Sequence, residues 1–191
     1  MVKKVLLSID FINEIVHPEG KLAAKFIPNL VKNDVIGNAN LAISKARAND
    51  IQVIHVKVGF SANYIECPEN SPIFSNAKKF NALELGKWGT KIYDQIDVKA
   101  NDHIVIKHRI SAFYNTDLEC VLKANDFKDI IIMGVSTDMA VELTAREAHD
   151  RDYNVTVLED ACTTYSEAAH VASINNISRV ASVKTVGQWL I

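Results

Sequence analysis

Six short apolar runs recur along the chain, separated by stretches with a different period. Residues 5–9 are mostly apolar and end in Asp10, and residues 51–56 are β-branched and half alternating. Residues 103–107 follow the polar turn Ala100-Asn101-Asp102, and residues 130–135 are continuously apolar. Residues 154–158 run into Glu159-Asp160, and residues 179–183 form the weakest run. Near-continuous runs of this length predict strands buried on both faces. Between them lie helical patterns at 35–49, 117–124, 137–151 and 166–177. The first ends at Asn49-Asp50, the second follows Thr116 as N-cap, and the fourth opens on Ser166-Glu167. In the third, Val141, Thr144, Ala145 and Ala148 share one side. Thr185 is placed to cap a last turn through Leu190. Strands alternating with helices imply parallel crossovers and a doubly wound α/β sheet.

One segment breaks this rhythm. Residues 59–93 hold Asn, Pro, Gly, Trp and aromatic residues with little period. A stretch this long inside a compact domain is usually functional or disordered. Its apolar residues, Tyr64, Ile65, Ile73, Phe74, Phe80 and Trp88, predict an ordered cover. No repeat, low-complexity tract or linker divides the chain, so residues 1–191 read as a single domain.

Composition narrows the function. The 191 residues carry 21 basic and 23 acidic side chains, a net charge of −2, and 48% are apolar. A nucleic-acid partner would usually leave a basic stripe, which is not seen. The apolar stretch behind Lys3-Lys4 is too short for a signal peptide, and no run approaches a membrane span. Three widely spaced cysteines, Cys67, Cys120 and Cys162, suit neither a disulfide framework nor a zinc site. A cytoplasmic protein with a small-molecule substrate and no membrane or nucleic-acid partner is expected. No Gly-x-Gly-x-x-Gly or Gly-Lys-Ser/Thr loop supports a nucleotide, and the histidines do not assemble a metal site by spacing, so no metal or cofactor is expected.

Ligands of open parallel sheets bind beyond the carboxyl ends of the strands. Asp10, Lys107, the turn Gly134-Val135-Ser136-Thr137 and Asp160 all end runs and are expected on that rim. Backbone N–H groups between Ser136 and Ala140 are placed to hold an anion or oxyanion.

The same stretches carry a resemblance. Leu6-Leu7-Ser8-Ile9-Asp10-Phe11-Ile12-Asn13 resembles the opening strand of the isochorismatase-like (cysteine hydrolase) superfamily, which ends in a catalytic aspartate. Lys107-His108-Arg109-Ile110-Ser111-Ala112-Phe113 resembles its lysine motif. Gly134-Val135-Ser136-Thr137-Asp138-Met139-Ala140-Val141 resembles its nucleophile elbow, and Thr144 to Ala148 and Asp160-Ala161-Cys162 resemble downstream blocks. The resemblance implies a three-layer α-β-α fold with a six-stranded parallel sheet in the Rossmann-like order 3-2-1-4-5-6. It implies catalytic Asp10 and Lys107, a cis peptide between Val135 and Ser136, and an oxyanion hole from Ser136 and Ala140. It also implies a homo-oligomer.

The departure is Ala140, where most members carry the nucleophilic cysteine. A methyl group cannot attack a carbonyl, and losing a nucleophile costs on the order of 10⁶ in kcat. Isochorismatases proper also lack that cysteine and cleave a vinyl ether. The expected function is therefore hydrolysis of a small anionic metabolite by non-covalent chemistry, with Asp10 moving the proton and Lys107 as its electrostatic partner. The alternatives are a nicotinamidase-like amidase whose nucleophile has been changed to alanine, and a non-catalytic binding or regulatory protein. Burial raises the Asp10 pKa and a nearby ammonium lowers it, and sequence leaves that contest open.

Phe11, Asn13, Trp88, Arg109 and Phe113 are the candidate substrate-binding residues. For each the plainer reading is structural: core packing for the aromatics, an ion pair with Asp117 for Arg109. Cys162 lies near the expected rim without an adjacent histidine, and Cys120 reads as a small buried apolar group.

Overall fold

The computed structural model describes residues 2–189. Leu190, in the expected last turn, lies outside them. Six strands form one parallel sheet: β1 (Lys3–Ile9), β2 (Gln52–Val58), β3 (His103–Lys107), β4 (Phe127–Val135), β5 (Asn154–Thr163) and β6 (Ser182–Lys184), in the order β3-β2-β1-β4-β5-β6. This is the order expected. Val5, Leu6, Leu7 and Ile9 of β1 and Ile130, Ile132 and Met133 of β4 are fully shielded, which is why those runs contain no polar alternation.

The helices are α1 (Asn13–Val16), α2 (Ile27–Lys32), α3 (Val35–Ala48), α4 (Leu118–Ala124), α5 (Glu142–Asp150) and α6 (Glu167–Ile177). The helix α3 follows β1 and packs on β1, β2 and β5, whereas α4 packs on β4, and α5 on β5 and α6. The Thr116 hydroxyl accepts the Leu118 N–H at 3.2 Å, so it caps α4 from one position before the N-cap. In α5 and the turn before it, Val141, Thr144, Ala145 and Ala148 are all buried, the stripe anticipated from the pattern.

Three local expectations are corrected. Helices α1 and α2 lie in a region without assigned structure, because both are too short for a helical period to show. Asp160 lies within β5 rather than beyond it, and its Oδ1 accepts the Val186 N–H at 2.8 Å. A register shift between Ile132 and Gly134 lets β5 continue to Thr163. Cys120 is exposed: Leu118 and Leu122 face the core, and the residue midway between them points outward.

The 59–93 segment is ordered, but through a different set of residues. Tyr64 and Phe74 turn inward with Phe60, Leu83 and Tyr93, while Ile65, Ile73, Phe80 and Trp88 stay on the surface. Phe60 forms an edge contact with Phe74, ring centroids 5.6 Å apart. Polar bonds lock the cover down. The buried Glu14 carboxylate accepts N–H groups from Lys21 at 2.9 Å and Leu83 at 3.2 Å, and the Tyr64 hydroxyl donates to Ala82 O at 3.0 Å.

Candidate active site

The order of the sheet decides where a site can form. Strands β1 and β4 are neighbours, with Ile9 in register with Gly134, yet the connections that follow them run outward in opposite directions. Such a switch point leaves a crevice beyond the strand ends. Gly134 makes the close approach possible: its φ is +151°, and a Cβ there would lie 2.3 Å from Ile9 O.

Asp10 leaves β1 in a left-handed conformation, φ 58°, with its N–H on Val56 O at 2.8 Å. That turn brings Oδ1 to the Val58 N–H at 2.8 Å and Oδ2 to Lys107 Nζ at 2.7 Å. Lys107 ends β3 in register with Val58, so its side chain crosses the end of β2 to reach Asp10. Its ammonium also donates to Ile110 O at 3.0 Å and Arg109 O at 3.2 Å, which occupies all three protons. Both side chains are almost fully buried, at 2% and 4% exposure. Burial pushes the Asp10 carboxyl above its ordinary value, and this outweighs the Lys107 ammonium and the Val58 N–H, which hold it down. The contest left open by the sequence is thus won by desolvation.

The elbow follows β4. The Val135–Ser136 peptide is cis, and residues Thr137–Val141 form a π-helical turn in which Ser136 O accepts the Val141 N–H at 3.1 Å. Three contacts hold it from behind. Thr137 Oγ1 meets His170 Nδ1 at 2.9 Å, Ser173 Oγ donates to Thr137 O at 3.0 Å, and Thr164 Oγ1 donates to Asp138 Oδ1 at 2.6 Å.

A cavity of about 420 Å³ opens where these pieces meet, and Asp10, Lys107, Ser136 and Ala140 all line it. The five other candidates are placed elsewhere. Phe11 is buried in the core, and Asn13 donates its amide to Trp88 O at 3.0 Å. Trp88 stands edge-on to His17, ring centroids 4.9 Å apart, and Phe113 stacks on Tyr153 at 6.0 Å. None of these four lines the cavity; each finds an aromatic, amide or core partner closer to its own backbone. Arg109 donates to Glu66 O at 2.8 Å and His108 O at 2.6 Å, and it lines a second cavity that shares Phe74 and Ile110 with the first. Its expected partner Asp117 lies instead beside His103, at 3.2 Å.

Reading the sequence missed Lys25, Phe26, Phe74, Asp138 and Tyr165 as lining residues. Asp138 lies inside the elbow motif, and Tyr165 closely follows the end of β5, so the strand-end rule could have found both. Lys25 and Phe26 carry no such signal.

The buried Cys162 thiol is pushed up to about 12 by burial, which makes it a poor nucleophile. Among the described residues, no group of three or more His, Cys, Asp or Glu side chains is arranged to hold a metal ion, and no helix is long and apolar enough to cross a membrane.

A buried carboxylate–ammonium pair thus lies at the switch point of a parallel α/β sheet beside a strand-turn-helix elbow, where ligands of such sheets bind. Comparison with known proteins agrees. Residues 4–188 match the isochorismatase domain. An uncharacterised isochorismatase family protein of Escherichia coli O157:H7, YecD, is 35% identical over 162 residues, covering 83% of this chain and 82% of its own. The ureidoacrylate amidohydrolase RutB of Acinetobacter baylyi is 33% identical over 156 residues, 75% of this chain but only 64% of that relative. Among solved structures, the N-carbamoylsarcosine amidase of Thermoplasma acidophilum superposes with a TM-score of 0.78 at 26% identity, over the full length of both chains. The chain belongs to the isochorismatase family of hydrolases.

Proposed function

We propose that this protein hydrolyses a small anionic metabolite by adding water directly, with no covalent enzyme intermediate. The observation that carries this reading is the cavity wall itself: the buried Asp10–Lys107 pair and the Ala140 methyl line one space. Proton-transfer machinery is in place, and the side chain that would attack is not.

A vinyl ether suits such a site. Asp10 in its acid form gives its proton to the enol carbon. Water adds to the resulting oxocarbenium carbon as the Asp10 carboxylate takes back a proton. The hemiketal then collapses to a ketone and an alcohol. A carboxyl whose pKa is raised by burial keeps its proton to higher pH than an ordinary aspartate, which suits it to act as the acid. Lys107 stabilises the carboxylate formed between the two steps, and backbone N–H groups at Ser136 and Ala140 serve developing negative charge on oxygen.

A second reading is favoured by the relatives, two of which are named as an amidohydrolase and an amidase. In it the target is a C–N bond and Ala140 stands in a former nucleophile position. A hydrolysis panel on three proteins separates the two: the chain as it stands, Ala140→Cys and Asp10→Asn. Vinyl-ether turnover by the unaltered chain, lost in Asp10→Asn, supports direct hydrolysis. Amide turnover that appears only in Ala140→Cys supports the second reading. Ligand binding without turnover in all three proteins would refute both and leave a binding protein.

A further inference from the structure

Four charged groups line the cavity, and three of them are already engaged. Lys107 spends its protons on Asp10 and two carbonyls, Asp10 is matched by Lys107 and Val58, and Asp138 receives the Thr164 hydroxyl. The fourth is Lys25, an exposed residue at the end of the short 3-10 turn Ala23–Lys25. Its ammonium stands 4.8 Å from the centroid of the Phe26 ring, and among the described residues it pairs with no carboxylate. Arg109, the other cation near the site, is held by backbone carbonyls and faces the second cavity.

Much of the remaining wall is apolar, with Ile15, Leu22, Phe26, Val58, Phe74 and Leu83, while Ser136, Thr164 and Tyr165 add hydroxyl groups. A volume of about 420 Å³ is in the range of small-molecule sites. The lining holds two acids and two lysines, of which Asp10 and Lys107 are matched to each other. A dianion would face Asp138 without a second free cation to offset it. A compact apolar body bearing a single negative group suits Lys25 and the apolar part of this wall.

We infer that Lys25 is the specificity residue that reads the ligand's charge, and that the site takes a monocarboxylate with an unsaturated or aromatic body, its carboxylate on Lys25 and its apolar part against Phe26 and Phe74. This rests on the cavity being the substrate site, but not on turnover.

The test is calorimetric titration with trans-cinnamate and its neutral counterpart cinnamamide, on the unaltered protein, Lys25→Met and Lys25→Arg. An exposed ion pair of up to 1 kcal/mol corresponds to roughly fivefold in Kd. The unaltered protein should bind cinnamate about fivefold more tightly than cinnamamide, and the preference should shrink as salt is raised. Lys25→Met should abolish the preference, and Lys25→Arg should retain it. A preference that survives in Lys25→Met, or no preference in the unaltered protein, would overturn the assignment. Binding is measured without catalysis, so a failure of the hydrolytic reading shows up separately, as silence in the turnover panel with the cinnamate preference intact.

Discussion

Replacing Lys107 by methionine tests the centre of the site. Methionine keeps much of the side-chain volume and removes the ammonium. Oδ2 of Asp10 then loses its partner at 2.7 Å, and the carbonyls of Arg109 and Ile110 lose theirs at 3.2 and 3.0 Å. Removing one member of a buried pair typically costs about 3–5 kcal/mol, because the other charge stays behind without a partner. The fold has one escape, which is to bind a proton at Asp10. From an ordinary carboxyl value of 3.8, that costs about 4.4 kcal/mol at pH 7, at 1.36 kcal/mol per unit. Since burial already raises this carboxyl, 4.4 is a ceiling on the charge part of the loss. It should fall by about 1.4 kcal/mol for each pH unit of acidification, until Asp10 is protonated anyway. Urea unfolding at pH 7, 6 and 5 measures this directly, with Lys107→Met beside Asp10→Asn/Lys107→Met. We expect a loss of about 3–4 kcal/mol at pH 7, a clearly smaller one at pH 5, and partial recovery in the double variant. A loss that does not vary with pH, or a double variant less stable than Lys107→Met, would refute the claim that an unpaired buried carboxylate is what destabilises the fold.

Other outcomes follow from the same geometry. Asp10→Asn should lower hydrolysis by about 10²–10⁴. If Asp10 is the proton donor, kcat/KM of the unaltered protein should fall as pH rises through an apparent pKa above the usual carboxylate range, because only the acid form gives a proton; a rate that climbs through that value instead would make Asp10 a base on water. Gly134→Ala should destabilise by more than about 3 kcal/mol by urea unfolding, since a Cβ would collide with Ile9 O at 2.3 Å and φ is +151°. A near-neutral result would mean that β1 and β4 can part at the elbow. Glu14→Ala should cost about 2–3 kcal/mol by leaving the Lys21 and Leu83 N–H groups without their acceptor. Limited proteolysis should then cut first within residues 59–93, and unchanged protease resistance would count against Glu14 as the tie.

What the residue pattern determined alone was the framework. Buried parallel strands must be apolar on both faces, so their positions are written in the chain, and with them the rim on which Asp10, Lys107 and the 134–141 elbow meet. The chemistry of position 140 is equally a matter of sequence, since a methyl group is inert in any setting. Short elements such as α1 and α2 carry too few residues to show a period. Tertiary structure decided which side chains face the cavity. Phe11, Asn13, Trp88 and Phe113 are chemically apt for a ligand, yet each is taken up by a nearer partner. Lys25 and Phe26, from a turn without any sequence signal, stand there in their place. The direction of the Asp10 shift also waited for coordinates. Desolvation depends on how completely every neighbouring element excludes water, and no local run of residues records that sum.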